Sequence, residues 1–241
     1  MDILQQDQYL KTLTNGKIHV DGQFMWGSNY TFLVQVKYES AELAAVYKPS
    51  RGERPLWDFL PGTLAAREVA AYLSAQSLGW DLVPPTVLRQ DGPAGPGSLQ
   101  LYVDVDQERH YFTFSEEERQ RLRPVAVLDV LINNADRKGG HILLAPDDHI
   151  WLIDHGVCFH WEYKLRTVVW DFVGEPIPDH LLTDVQTFLD RFGADPGLQA
   201  AYAGLLSPIE VEALVTRAER LLTERRFQEP GLSQTHPWPL V

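Results

Sequence analysis

Residues 133–159 read NNADRKGGHILLAPDDHIWLIDHGVCF: two short polar clusters joined by apolar, strand-like stretches. The first cluster places Asp136 five residues ahead of His141, and the second carries Asp154 in Ile-Asp-His-Gly, 18 residues past Asp136. The runs 142–144 and 150–153 surround Pro146-Asp147-Asp148, a turn signal, so the stretch predicts a hairpin with one polar cluster at each end. Upstream, Val125, Leu128 and Ile132 share one face of a helix that begins at Pro124 and leads into Asp136. Ser115 followed by Glu118 marks the cap of a helix before it.

Working outward, the two halves of the chain differ. From Lys17 to Lys48 the sequence alternates and is rich in Val, Phe and Tyr, which predicts antiparallel strands that include Val34, Val36, Val46 and Tyr47. Gly22 and Gly27-Ser28-Asn29 are read as turns. A helix starts near Thr63 and runs through LAAREVAAYLSAQSL to Gly79, which suits the C′ position. VLRQDGPAGPGSLQLYVDV reads as a hairpin whose tip is Asp91 to Gly97. Beyond residue 160, helices are expected at 179–192 and from Pro208 to about Arg225, the latter capped by Ser207 with Glu210. The expected organisation is an N-terminal β-rich lobe over 1–105, a mainly helical lobe over 106–228 and a Pro-rich tail over 229–241, without internal repeats.

Composition narrows the function. The 241 residues are 44% hydrophobic, enough for a substantial core, and the formal charge is −12, with 33 acidic against 21 basic residues. That charge opposes adhesion to nucleic acid or to anionic headgroups. The clustered Arg119, Arg121 and Arg123 sit among glutamates and read as a solvated helix face. No run approaches the ~18 apolar residues of a membrane span, and the first residues lack the pattern of a signal peptide. A cytoplasmic location is expected. Cys158 is the single cysteine, which excludes intrachain disulfides and cysteine metal clusters.

The polar clusters suit phosphoryl transfer from ATP, which needs Mg²⁺ held on the phosphates, a cation on the α- and β-phosphates and a carboxylate to orient the acceptor hydroxyl. Asp154 offers the hard oxygen ligand that Mg²⁺ prefers. His141 is read as a second ligand or a phosphate donor. Asp136 would accept or position the substrate proton. A hydrolytic cluster of His141, Asp154, His155 and His160 with Asp147 to His149 is disfavoured, because Asp147 to His149 fall at the predicted hairpin tip.

NADRKGGHILL with LIDHGVCF resembles the catalytic and metal-binding motifs of the phosphatidylinositol 3-/4-kinase-like superfamily, Asp-Arg-x-x-x-Asn and then Ile-Asp-[Phe/Asn/His]-Gly. EVAAYLSAQSLGWDLVPPTVL, from Glu68 to Leu88, resembles the helix-and-turn segment of type II phosphatidylinositol 4-kinases. With the β-lobe lysine these cover roughly residues 25 to 175. The resemblance implies a bacterial branch of that superfamily and a two-lobed α+β kinase-like fold. It implies that Lys48 in AVYKP contacts the α- and β-phosphates, paired with Glu68, and that Gly27, Ser28 and Asn29 form the phosphate-covering turn. Val46, Leu143 and Ile153 would wall the adenine, with Val103 near the hinge.

Departures accompany these matches. His141 stands where the family carries Asn, and an imidazole is a softer ligand better suited to Mn²⁺. Lys138 stands two residues past the base, as the lysine of protein kinases does, where it could neutralise charge on the γ-phosphoryl group. His155 replaces the usual Phe or Asn. The expectation is a kinase using ATP with Mg²⁺ or Mn²⁺, with acceptor recognition in the segment 160–178 around Lys164 and Arg166. The acceptor could be a protein, a lipid headgroup or a soluble metabolite. The alternative is a pseudokinase that binds nucleotide as a scaffold or sensor.

Overall fold

Alternation from Lys17 onward builds three antiparallel strands, β1 (Lys17–Phe24), β2 (Thr31–Tyr38) and β3 (Ala41–Pro49). The computed structural model describes residues 3–24, 30–106, 108–231 and 234–241. Gly22 is not a turn as expected: it lies within β1 at a register shift next to Val20. A glycine inside a strand commonly marks such a bulge. Between β2 and β3 the chain turns at Glu39, in the left-handed region with φ 52°.

β4 (Thr86–Gly92) and β5 (Gly95–Leu101) form the expected hairpin, with its tip narrowed to Pro93-Ala94. The five strands form one antiparallel sheet in the order β1-β2-β3-β5-β4. Its inner face buries Val34, Val36, Ala45, Tyr47 and Leu99 together with Leu13. Leu13 belongs to α1 (Ile3–Asn15), a helix that sequence reading did not anticipate. Arg89 of β4 fixes α1 by donating to the carbonyls of Leu13, at 2.6 Å, and of Gly16, at 3.0 Å. A cation on the last carbonyls of a helix also complements its dipole.

α2 (Leu64–Ser77) follows a connection from Ser50 to Thr63 and ends at Leu78 and Gly79, whose φ of 76° is the left-handed C′ conformation expected of it. Ala70, Ala71, Tyr72 and Ala75 of α2 pack into the larger core, with the C-terminal helices, and not into the core beneath the sheet. α3 (Glu116–Gln120) starts from the reciprocal Ser115–Glu118 cap. α4 (Arg123–Ile132) buries Val125, Leu128 and Ile132 as its spacing required. β6 (Ile142–Leu144) and β7 (Ile150–Leu152) are the predicted hairpin. After an irregular but largely buried stretch come α5 (Asp179–Ala194), α6 (Pro196–Ala203) and α7 (Pro208–Glu224). The architecture is α+β and two-lobed, an antiparallel sheet with α1 against a mainly helical lobe, and α2 stands between them. Among the described residues no helix is long and apolar enough to cross a membrane.

Candidate active site

α4 stops at Asn133, whose backbone turns left-handed (φ 50°), and its side chain spans the next gap. Asn133 Nδ2 donates to the carbonyls of His160 and Glu162 at 2.8 and 2.6 Å, while its Oδ1 accepts from Lys164 N at 2.9 Å. Asn134 Oδ1 accepts from Asp136 N at 2.9 Å, which sets the loop carrying Asp136. Arg137, with no exposed surface, is the anchor beneath that loop. Its Nε faces both oxygens of the equally buried Asp129 at 3.1 and 3.2 Å, and Nη1 donates to Ile153 O at 3.0 Å. Its Nη2 meets His155 Nε2 at 2.8 Å. Thr167 Oγ1 donates to Asp129 at 3.0 Å, so this buried ion pair is hydrogen-bonded on all sides, the condition under which such a pair is tolerated.

Strand alternation puts Lys48 and Val46 on the face of β3 opposite the Tyr47 core. Lys48 Nζ bridges two carboxylates, Glu68 Oε1 at 2.5 Å and Asp154 Oδ1 at 2.9 Å. Burial works against its charge, but Asp154 and Glu68 outweigh that and raise the pKa, so Lys48 stays an ammonium. Glu68 is 3% exposed, and its second oxygen accepts the backbone N–H of His155 at 2.9 Å. Its neighbour Arg67 donates to Cys158 O at 2.6 Å and to Glu210 Oε1 of α7 at 2.5 Å. Two adjacent residues of α2 therefore hold both ends of the loop 155–158. Gly156 allows the loop to approach, since a Cβ there would lie 3.3 Å from Leu64 Cβ.

Asp154 adopts φ 61°, a conformation that Asp tolerates better than most residues. Lys48 first, and then His141, hold its carboxyl far below the usual range against the opposing effect of burial. Its other oxygen lies 3.3 Å from His141 Nε2. Burial pushes the His141 pKa down to about 4, Asp154 opposing and Arg137, Lys138 and Lys48 reinforcing, so the ring is neutral at pH 7. Lys138 N points at His141 Nδ1 from 3.5 Å, which leaves Nε2 to carry the proton and face Asp154. Across the site Asp136 pairs with Lys138 Nζ at 3.3 Å. Burial raises its pKa to about 6, opposed by Lys138 and assisted by Asp154. A carboxylate poised there can serve as a base near neutral pH.

Lys48, Glu68, Asp136, Lys138, His141 and Asp154 thus lie together. Val46 is half-buried on the Lys48 face, Leu143 is buried in β6, Ile153 is half-buried just after β7, and Val103 lies in the connection after β5. Gly27, Ser28 and Asn29 lie outside the described residues. Lys164 pairs with Asp58 at 3.1 Å and Glu162 at 3.5 Å and lies 5.0 Å from the Trp57 ring centre. Asp147 and His149 sit at the hairpin tip, His149 against Trp151. Cys158 is buried, and burial pushes its thiol far up.

Among the described residues no three or more His, Cys, Asp or Glu side chains are grouped to hold a metal. Asp154 and His141 form a pair, and Mg²⁺ bound with a nucleotide takes one or two protein ligands and completes its shell with phosphates and water. The ionised Asp154 fits that role directly. His141 fits only if its proton moves to Nδ1 and the contact with Lys138 N is given up.

The chain is similar to several known proteins. No family model matches the chain. Protein Rv2133c of Mycobacterium tuberculosis (strain ATCC 25618 / H37Rv) is 41% identical over an alignment covering 98% of this chain and 96% of that one. The chain belongs to the Rv2133c family. Phosphatidylinositol 4-kinase gamma 4 of Oryza sativa subsp. japonica is 36% identical over 130 residues, 45% of this chain and 22% of that protein. The Arabidopsis thaliana protein of the same name is 31% identical over 137 residues, 45% of this chain and 24% of its own. The match spans less than a quarter of either plant protein. The crystal structure of the Helicobacter pylori proinflammatory kinase CtkA superposes with a TM-score of 0.53 at 13% identity, covering 89% of this chain and 94% of that one. The fold is kinase-like, and just under half of the chain is similar in sequence to part of the two plant proteins.

Sequence reading left Asp129, Arg137, Arg67 and His155 without assigned parts. Asp129 had a signal: a carboxylate inside the apolar run VAVLDVLI needs a buried partner, and the arginine eight residues on supplies it. Arg67 gave none, because its partners Cys158 and Glu210 are distant in the chain.

Proposed function

We propose that this chain is an ATP-dependent phosphotransferase, of a branch of the phosphatidylinositol 3-/4-kinase-like superfamily related to the type II phosphatidylinositol 4-kinases, moving the γ-phosphoryl group to a hydroxyl. The observation that carries the reading is Lys48 bridging Glu68 and Asp154 beside Asp136. In this reading Lys48, kept charged and oriented by Glu68, contacts the α- and β-phosphates. Asp136 takes the proton of the acceptor hydroxyl while that oxygen bonds to the γ-phosphorus and the bond to the bridging oxygen breaks, releasing ADP. Lys138 offsets charge on the transferring group. Asp154, with His141 after its tautomer change, would hold Mg²⁺ or Mn²⁺. Bound there, the metal would supply charge neutralisation on the phosphates. Val46, Leu143 and Ile153 would wall the adenine, Val103 would lie near the hinge, and Ser28 and Asn29 would belong to the covering turn.

A second reading is favoured by one observation, the neutral His141 that faces Asp154 with its N–H. If that tautomer persists, the chain binds nucleotide without transfer and acts as a pseudokinase scaffold or sensor. Calorimetric titration of ATP with Mg²⁺ and with Mn²⁺, beside turnover under both, separates the two. Binding with turnover supports the kinase, saturable binding without turnover under either metal supports the scaffold, and no binding contradicts both.

A further inference from the structure

The segment 234–241, expected to be a tail, lies back on the loop that carries Asp136. Thr235 O accepts from Thr167 N at 3.1 Å and from the Trp170 indole Nε1–H at 3.3 Å. Five residues on, Leu240 O accepts from Gly139 N at 2.7 Å. Between these points Pro237 is buried. Gly139 follows Lys138 directly, and Arg137 pairs with Thr167 as a parallel bridge, so the three donors lie on one continuous surface beside Asp136 and Lys138. The segment passes close over both glycines: a Cβ at Gly139 would lie 3.4 Å from Leu240 O, besides 2.7 Å from the Phe112 ring, and one at Gly140 would meet Val241 Cγ1 at an ordinary contact distance of 3.6 Å.

The chemistry of these contacts is main-chain recognition. The surface offers two backbone N–H groups and an indole N–H, and backbone carbonyls satisfy all three. Extended peptides are captured in this manner at exposed strand edges. The segment is also lightly held: Trp238 is 82% exposed and Val241 56%. Segments with few buried contacts open at low cost.

We propose that Gly139, Gly140, Thr167 and Trp170 form the binding surface for an extended polypeptide acceptor, which residues 235–241 occupy in cis. This rests on the phosphotransferase reading and names its acceptor class as protein. A tethered ligand faces its site at an effective concentration on the order of millimolar, so the segment excludes acceptors of weaker affinity until it is displaced.

The test uses the full chain, a full chain carrying Pro237→Asp and a full chain with residues 235–241 replaced by glycine and serine. The probe is a fluorescein-labelled peptide, GLSQTHPWPLV, followed by anisotropy. Folding is checked by thermal melting, and nucleotide binding is measured in parallel. The expected result is binding to at least one variant about tenfold or more tighter than to the unmodified chain, about 1.4 kcal/mol or more. Bound peptide should restore slow hydrogen exchange at the Gly139 and Thr167 amides. Variants should also outpace the unmodified chain in phosphorylating a degenerate serine/threonine peptide library. Failure of the peptide to bind either folded variant, or binding without protection of those amides, overturns the proposal. No incorporation into the library by a variant that binds both nucleotide and peptide overturns its acceptor role. Peptide binding with no nucleotide binding in any chain would instead sink the phosphotransferase reading and leave the peptide surface standing.

Discussion

His155 occupies a position where a lone polar ring must find its partners inside the protein, and they define its state. An arginine only donates, so Arg137 Nη2 at 2.8 Å obliges His155 Nε2 to accept, and the ring proton sits on Nδ1, 3.9 Å from Glu68 Oε2. Burial holds its pKa well below the usual value, with Arg137 and Lys48 adding to the effect. His155 thereby joins the Asp129–Arg137 anchor, through its ring, to the Glu68–Lys48 pair, through its backbone N–H at 2.9 Å from Glu68 Oε2. His155→Leu should leave a buried guanidinium N–H without an acceptor, a loss of about 1–3 kcal/mol. Turnover should fall more than about tenfold. His155→Gln, whose Oε1 can accept the same bond, should recover most of it, and steady-state kinetics with melting curves for both variants check this. Equal losses in the two would refute the role.

Asp136 makes a pH prediction at the same scale. If Asp136 is the base it must be deprotonated before the acceptor binds, and burial raises its pKa to about 6. kcat/KM should therefore rise about tenfold per unit as pH climbs toward 6 and level off above it. A profile flat from pH 5 to about 8 contradicts the assignment. In Lys48→Met, loss of a charge-assisted contact worth about 1.5–3 kcal/mol should weaken ATP binding by one to two orders of magnitude, read by calorimetry.

At the scale of elements, α2 is the pivot. Ten of its residues are buried, and Arg67 fastens it to α7 through Glu210 while Glu68 pairs with Lys48. Arg67→Leu leaves Glu210 buried without its cation and should cost about 3–5 kcal/mol, measured as a lower urea midpoint at unchanged slope. A shift within experimental error would mean that the clamp does not hold the helix. α2 was legible in the sequence because its start, its alanine-rich face and Gly79 are local signals, as were the Ser115–Glu118 and Ser207–Glu210 caps. α1 was not, because much of its surface is polar and Arg89, 73 residues beyond Gly16, is what docks it. The short α6 escaped as well: its cap, Asp195 accepting from Gly197 N and Leu198 N, follows directly on the end of α5.

Across the whole molecule two separate cores, one under the sheet and one among the helices, meet where Lys48, Glu68 and Asp154 join. The site was legible as far as motif spacing reaches, which placed Asp136, His141 and Asp154 together, and the family resemblance added Lys48 and Glu68. The buried Arg137 network and the return of residues 234–241 were not, since each depends on pairings between segments far apart in the chain. Because this junction is tied by ion pairs rather than by one continuous core, nucleotide binding across it should stabilise both lobes at once. At a hundredfold excess over Kd the gain should be about 2.7 kcal/mol, seen as a single cooperative transition moving to higher temperature.

The central claim is transfer of the γ-phosphoryl group. It is tested most directly by following ADP formation together with the fate of the label from γ-labelled ATP, with Mg²⁺ and with Mn²⁺, in the unmodified chain and in Asp136→Asn and Asp154→Asn. The predicted result is turnover in the unmodified chain, a loss of about 10²–10⁴-fold in Asp136→Asn with nucleotide binding retained, and loss of metal-dependent turnover in Asp154→Asn. Turnover in Asp136→Asn equal to that of the unmodified chain, or none in the unmodified chain under either metal, would contradict it.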